Sequence, residues 1–194
     1  MKPALRKLAP PLDDAALLGA VAAGDASALG LAFDRWHHDV FALLVRVRAT
    51  RWAVDDLVQE TFLALPGAAA NYTPGRSARA FVLGVAMQMC RRERRRFARR
   101  LNLWRTHGEG LDESLAQDDP ERDAANREAL GRVSVALARL PEAQRDAVVL
   151  VELEGLTGDE AAAIMGVPVN TVWTRLHYGR AALREALSPK ERRP

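Results

Sequence analysis

With one cysteine, Cys90, the chain can form no intrachain disulfide and no cysteine-rich metal site. Aromatic residues make up only 6% of the 194 residues, and no run alternates apolar and polar with period two. That excludes a sheet-rich fold and, with alanine and leucine dominant, points to an all-α one. No uninterrupted apolar run approaches the roughly 20 residues that span a bilayer, so no membrane insertion is expected. Residues 1–12 carry Lys2, Arg6 and Lys7 among three prolines and lack the apolar core of a signal peptide. They read as a mobile basic tail on a cytoplasmic protein. His37 and His38 are adjacent, and on a helix they diverge by about 100°, with no second cluster to complete a metal site. No nucleophile with base and orienter, glycine-rich phosphate loop or pair of acids stands out. Neither an enzyme nor a cofactor is expected.

Charge is abundant and unevenly placed. Residues 88–105 hold eight arginines and one glutamate, a local +7, although the whole chain carries only +3. Residues 106–126 follow with seven acids and one arginine, a local −6. Blocks of this size imply separate tasks along the chain.

Helical periods fill most of the rest. Asp13 caps a first helix ending before Gly24, and Asp25 caps a second with the stripe Leu29, Phe33, Trp36, Val40, Phe41 and Leu44. A third covers 53–65, burying Val54, Leu57, Val58 and Phe62, and Pro66-Gly67 stop it. Residues 71–77 form a loop with a Pro-Gly turn. Ser77 caps a fourth helix that buries Phe81, Val82, Val85 and Met89 and ends near Trp104. The acidic stretch has no sustained apolar period and reads as a linker. Helices follow over 126–140 and, from Pro141, to about 153. The organisation expected is a tail (1–12), a helical domain (13–104), an acidic flexible linker (105–125), a second helical domain (126–187) and a tail (188–194).

The second domain ends in the most specific pattern. Thr157 and Glu160 stand at capping-box spacing, Ala161, Ala162, Ile164 and Met165 supply a short buried face, and Gly166 permits a turn. Pro168 sits at the first turn of the next helix, where its missing N–H does no harm. Helix, turn, helix is a DNA-reading arrangement whose second helix enters the major groove. Val169, Val172, Leu176 and Leu183 make that helix's inward stripe. Asn170, Thr171, Trp173, Thr174, Arg175 and Tyr178 are left outward. Arginine bridges guanine acceptors and asparagine adenine, while threonines at a helix N-terminus suit phosphates. The alternative is a solvated face of an ordinary bundle.

Two segments, in this order, resemble one family. Asp55-Asp56-Leu57-Val58-Gln59-Glu60-Thr61-Phe62-Leu63 is similar to the polymerase-binding segment of bacterial sigma factors. Leu140-Pro141 with Gln144-Arg145, followed by the helix-turn-helix, resembles their fourth region. With only a short linker between, the likeness is to the extracytoplasmic-function (ECF) group, which has regions two and four alone. It covers 13–187.

The resemblance implies that Asp55, Asp56, Gln59 and Glu60 dock on the β′ clamp helices of core RNA polymerase, and that region four also rests on the β flap. It implies that the loop holding Asn71, Tyr72, Arg76 and Ser77, with Arg79 and the following helix, opens the −10 element of promoter DNA. Gln88 falls where many members read the upstream edge of that element, and the last helix reads the −35 element. An anti-sigma factor is a typical partner.

The residues themselves leave alternatives beside these roles. Tyr72 either stacks on an exposed base, worth about 1–3 kcal/mol, or packs over its own loop. Arg91, Arg92, Arg95 and their neighbours either neutralise promoter phosphates, with a steep salt dependence, or are solvated, or meet the acidic linker. Asp55, Asp56 and Glu60 stabilise a helix dipole as well as offering a protein contact. Trp173 departs from the family, where lysine is usual. A stand-alone helix-turn-helix regulator is the alternative function.

Overall fold

The computed structural model describes residues 13–47, 54–107 and 124–188, with side chains described up to residue 100 and again from 131. Residues 1–12, 108–123 and 189–194 lie outside the described residues; of the linker expected over 105–125, residues 105–107 instead extend α4 and 124–125 begin α5.

The caps read from the sequence organise the first half. Asp13 accepts from the N–H of Ala16 at 2.6 Å and starts α1, Asp14–Ala22. Gly24 then takes φ 84°, and Asp25 caps α2, Ala26–Arg46, through the N–H groups of Ser27 and Ala28. α3 spans Val54–Ala69. Ser77 caps α4, Ala78–His107, by accepting from Ala80 N–H at 3.1 Å. These four helices close over Leu17, Leu18, Val21, Leu43, Leu44, Leu57, Leu65, Leu83 and Met87, each essentially inaccessible. Every such side chain contributes about 1.5–3 kcal/mol.

The second half holds α5 (Ala124–Arg139), α6 (Glu142–Val148), a π-helical turn (Val149–Leu153), α7 (Gly158–Met165) and α8 (Val169–Leu187). It closes over Leu137, Leu140, Val148, Val149, Leu150, Leu156, Val172 and Leu176.

Several expectations are corrected. The third helix does not stop at Pro66-Gly67 but runs on to Ala69. Proline forfeits one backbone bond near a helix end, while burial of Leu65 and Ala69 on either side holds the last turn together. On α2 the buried stripe is Ala28, Ala32, Trp36, Val40, Leu43 and Leu44; Phe33 and Phe41 remain 37% and 43% exposed. Phe33 instead stacks on His37 and meets Phe62 edge-on, both with centroids 4.9 Å apart. The helix through Pro141 is not α-helical to its end. The N–H of Glu154 donates to the carbonyl of Val149, one residue further than an α-turn allows. Pro168 is the N-cap of α8, and its carbonyl accepts from the N–H of Thr171 at 2.9 Å.

The two halves are packed together. Along α4, Val82, Leu83, Val85, Ala86, Met87, Met89 and Cys90 are all buried, which one amphipathic stripe cannot produce. One side of α4 faces α2 and α3. The other faces α7, so closely that a Cβ added at Gly84 would lie 3.3 Å from Ile164 Cγ1.

Candidate nucleic-acid interface and docking face

The helix-turn-helix forms as its sequence dictates. The Thr157 hydroxyl accepts from Glu160 N–H at 3.2 Å, and the Glu160 carboxylate accepts from Thr157 N–H at 2.9 Å. Gly166 adopts φ 67°, ψ 38°, the left-handed conformation that ends α7 without strain. On α8, Asn170, Trp173, Thr174 and Tyr178 are exposed and Thr171 and Arg175 half-buried, while Val172, Leu176 and Gly179 turn inward. Two of the outward residues are committed locally. The Thr174 hydroxyl donates to the Asn170 carbonyl at 2.9 Å. The Trp173 indole lies over the first residue of α7, and a Cβ at Gly158 would stand 2.5 Å from Trp173 Cζ2. Trp173 thus holds the two helices of the motif together as well as facing outward. No acid pairs with Arg175 among the described residues, so its guanidinium is available. Arg175→Ala is expected to lose about 1–3 kcal/mol of discrimination at one base pair, the worth of a bidentate contact. Competition binding with single-base variants of the bound duplex measures it.

The second polar surface lies between the 71–77 loop and α7. A cleft of about 910 Å³ is walled on one side by Asn71, Tyr72, Arg76, Ser77, Gln88, Arg91 and Arg92. The other wall is Thr157, Asp159, Glu160, Ala163 and Ile164. Gly75 turns the loop at φ 89°. Tyr72 packs on its own loop: its hydroxyl donates to the Arg76 carbonyl at 2.6 Å and its ring meets Phe81 edge-on at 5.3 Å. Asn71, Arg76, Ser77, Gln88, Arg92 and Arg95 are exposed.

Three arginines, Arg79, Arg91 and Arg94, reach the other half of the molecule, whereas Arg96 pairs with Glu93 on α4 itself. Arg79 pairs with Asp39 at 3.1 Å and Glu154 at 2.8 Å and donates to the Glu154 carbonyl at 2.9 Å. Burial works against its charge, but the two carboxylates outweigh burial and raise the guanidinium pKa. Arg91 donates to the Ile164 carbonyl at 2.6 Å, and burial lowers its pKa. Arg94 reaches Glu142 at 2.7 Å, Asp146 at 3.4 Å and the Val47 carbonyl at 2.6 Å. Glu154 and Asp146, both buried, are the acceptors that sequence reasoning missed.

Asp146 sets a pH dependence. Burial raises its carboxyl above the ordinary 3.8, and Arg94 only partly reverses this. Burial works against the Arg94 charge as well, but Asp146 and its other neighbours, Glu142 among them, outweigh burial and raise the guanidinium pKa. The folded state therefore binds more protons than the unfolded chain from pH 3.8 upward to the raised value. This group's stability contribution is fully present below that window and falls as pH rises through it. Asp146→Asn, tested by urea unfolding across acid and neutral pH, should gain on the natural protein as pH climbs through the window and then hold a constant difference. A constant difference throughout would place the proton elsewhere.

On α3, Asp55, Asp56, Gln59 and Glu60 are exposed, while Leu57, Val58, Thr61 and Phe62 form the buried side. Leu63 extends the exposed face and is 76% accessible. Its place at i+3 and i+4 from Glu60 and Gln59 was visible in the sequence, but a leucine within a helical period reads as core.

Both halves of the chain match known proteins. Residues 32–100 match the Sigma-70 region 2 family and residues 130–183 match Sigma-70, region 4. The chain is 33% identical over 141 residues to the RNA polymerase sigma factor CnrH of Cupriavidus metallidurans, covering 69% of this chain and 73% of that protein. It is 33% identical over 159 residues to the ECF RNA polymerase sigma factor SigE of Mycolicibacterium smegmatis, spanning 79% of this chain and 60% of SigE. The solved structure of CnrH in complex with the cytosolic domain of CnrY superposes with TM-score 0.62 at 28% identity, covering 90% of this chain and 96% of that one. Among the described residues no helix is long and apolar enough to cross a membrane. A region-two match over α3 and the described start of α4, a region-four match over the helix-turn-helix and these relatives together place the chain in the ECF group of the sigma-70 family, the sigma factors that direct RNA polymerase to promoters.

Proposed function

We propose that the exposed face of α3 docks on the β′ clamp helices of core polymerase, α8 reads the −35 element and the 71–95 surface engages and opens the −10 element. The observation that carries this division is the free polar face Asp55, Asp56, Gln59 and Glu60, with Leu63 at its end, on a helix whose other side is fully committed to core. A face of acids and one exposed leucine suits a basic protein surface with an apolar centre. Asn170, Thr171, Thr174 and Arg175 supply −35 contacts, with Trp173 setting the helix angle and Tyr178 further along the same helix. Asn71, Tyr72, Arg76, Ser77, Arg79, Gln88, Arg91, Arg92 and Arg95 supply the −10 surface. Polymerase does the chemistry, and binding energy from the captured strand offsets an unpairing cost of a few kcal/mol. Region four also rests on the β flap, and the protein works in the cytoplasm beside the polymerase. CnrH is held by the cytosolic domain of CnrY in its solved complex; by likeness, an anti-sigma protein is a partner here.

Run-off transcription with purified bacterial core polymerase and a fragment library of the native genome tests the reading. Defined transcripts that appear only when this protein is added are expected. Duplex binding without any transcript would instead indicate a stand-alone regulator.

A further inference from the structure

We propose that the outward face of α2 is a self-association surface through which two copies of this chain pair as an antiparallel dimer. Leu31, Asp34, His38, Phe41 and Val45 alternate steps of three and four residues, so they stand in one line along the helix. The line points away from the buried stripe of Ala32, Trp36, Val40 and Leu43. On one flank Arg35 pairs with Asp14 of α1, and on the other Phe33 meets Phe62 of α3. α1 and α3 are thus engaged at the sides, and all five residues of the line are exposed. Leu31, Phe41 and Val45 keep 53%, 43% and 45% of their surface accessible. Single apolar side chains on a surface are ordinary, but three on one line with a 3.5-residue period form the seam of a helix pair.

The two polar positions in the seam identify the occupant. Among the described residues no cation pairs with Asp34, and His38 has the ring of His37 beside it, with centroids 3.8 Å apart. A purely apolar helix laid on the seam would bury both without a polar partner. A second copy does not. Set antiparallel with Leu31 opposite the partner's Phe41, it brings Asp34 opposite the partner's His38, and the two-fold axis repeats both pairs. A parallel pair would instead oppose Asp34 to Asp34 and His38 to His38, like against like. A polar pair inside an apolar seam is an established way to fix register. From residue 31 to residue 45 the seam runs about 21 Å at 1.5 Å per residue. One helix pair of that length stays below the roughly 1,200 Å² of a stable complex, so the dimer is weak, with a dissociation constant on the order of tens of micromolar. None of this uses the roles given above to α3 and α8.

Sedimentation velocity of the full chain, from low to several hundred micromolar, should show a reversible passage from monomer to dimer. Phe41→Glu should leave monomer throughout. His38→Asp, which opposes carboxylate to carboxylate, should weaken association at least about tenfold, and adding Asp34→His should restore it by exchanging the two partners. The substituted side chains are all exposed, so circular dichroism melts should stay close to that of the natural protein.

Register is tested by mixing Leu31→Cys protein with Phe41→Cys protein at high concentration; Cys90 is buried and out of reach. Mild oxidation of the mixture should link position 31 of one copy to position 41 of the other. Either protein alone should cross-link poorly, because like positions of an antiparallel pair stand about 15 Å apart along the seam, far beyond a disulfide's reach. Monomer at every concentration would overturn the proposal, as would a dimer indifferent to Phe41→Glu. Efficient cross-linking of each variant with itself, and none in the mixture, would overturn the antiparallel pairing.

Discussion

Reversing charge at Asp56 and Glu60 together, to lysine, is expected to lower core-polymerase affinity by at least about tenfold and to abolish factor-dependent transcripts at limiting protein. Both side chains are exposed, and as i and i+4 on α3 they present to the same partner surface. A carboxylate facing a basic surface gains little beyond orientation and encounter rate. A lysine there meets like charge, which costs on the order of several kcal/mol across an interface. The fold should barely register the change. Asp56 lies in the first helical turn and its loss forfeits about 0.3–1 kcal/mol of dipole stabilisation, while Glu60 lies beyond the first turn. Duplex binding through α8 should be untouched, because α8 belongs to the other half of the molecule. Titration of labelled core polymerase, with duplex binding measured in parallel, separates these effects. Loss of both activities would mean that the substitutions unfold the protein, and loss of neither would move the docking face elsewhere. Leu63→Ala in the same titration measures the apolar part of that face.

What the sequence made legible was local. Asp13, Asp25, Ser77, Thr157 with Glu160, and Gly166 each satisfy backbone groups within a few residues, so spacing alone locates them and the helices they bound. The helix through Pro66-Gly67 was not legible, because its survival depends on the burial of Leu65 and Ala69 by other helices. The π-turn after Val148 was hidden for a related reason. One extra residue in a helix leaves an apolar period almost unchanged over five positions, and its cause is tertiary: it lets Val149 and Leu150 stay buried while Glu154 turns toward α2 and α4.

The same boundary runs through the site. The outward residues of α8 and α3 follow from helical period and stand where it puts them. The arginines do not. A run of like charges reads as one solvated or DNA-bound block, yet Arg91 and Arg94 have acceptors 73 and between 47 and 52 residues away. Arg79 has one 75 residues away. No spacing rule links such positions. An acid at a helix end next to glycine, as Glu154 is, reads as a surface residue until the partner arginines are placed against it.

Gly179→Ala is the substitution from which the largest structural effect is expected for the smallest change, a net loss of up to about 2 kcal/mol in unfolding free energy. Alanine in a helix interior ordinarily gains about 1 kcal/mol over glycine. Here the added Cβ would stand 2.6 Å from Val148 Cγ2 and 3.2 Å from the Gln144 carbonyl oxygen. Val148 is buried and Gln144 contributes backbone, so neither neighbour can swing away. α6 and α8 must separate, and overpacking of this kind costs about 1–3 kcal/mol. The reading helix moves with the crossing, so duplex affinity should fall along with stability. Adding Val148→Ala removes the closest methyl group. It should recover part of the loss, making the double variant more stable than the sum of the single changes predicts. Thermal or urea unfolding of the four proteins in the cycle decides the matter. If Gly179→Ala is more stable than the natural protein, the helices do not cross at the separation that this glycine permits.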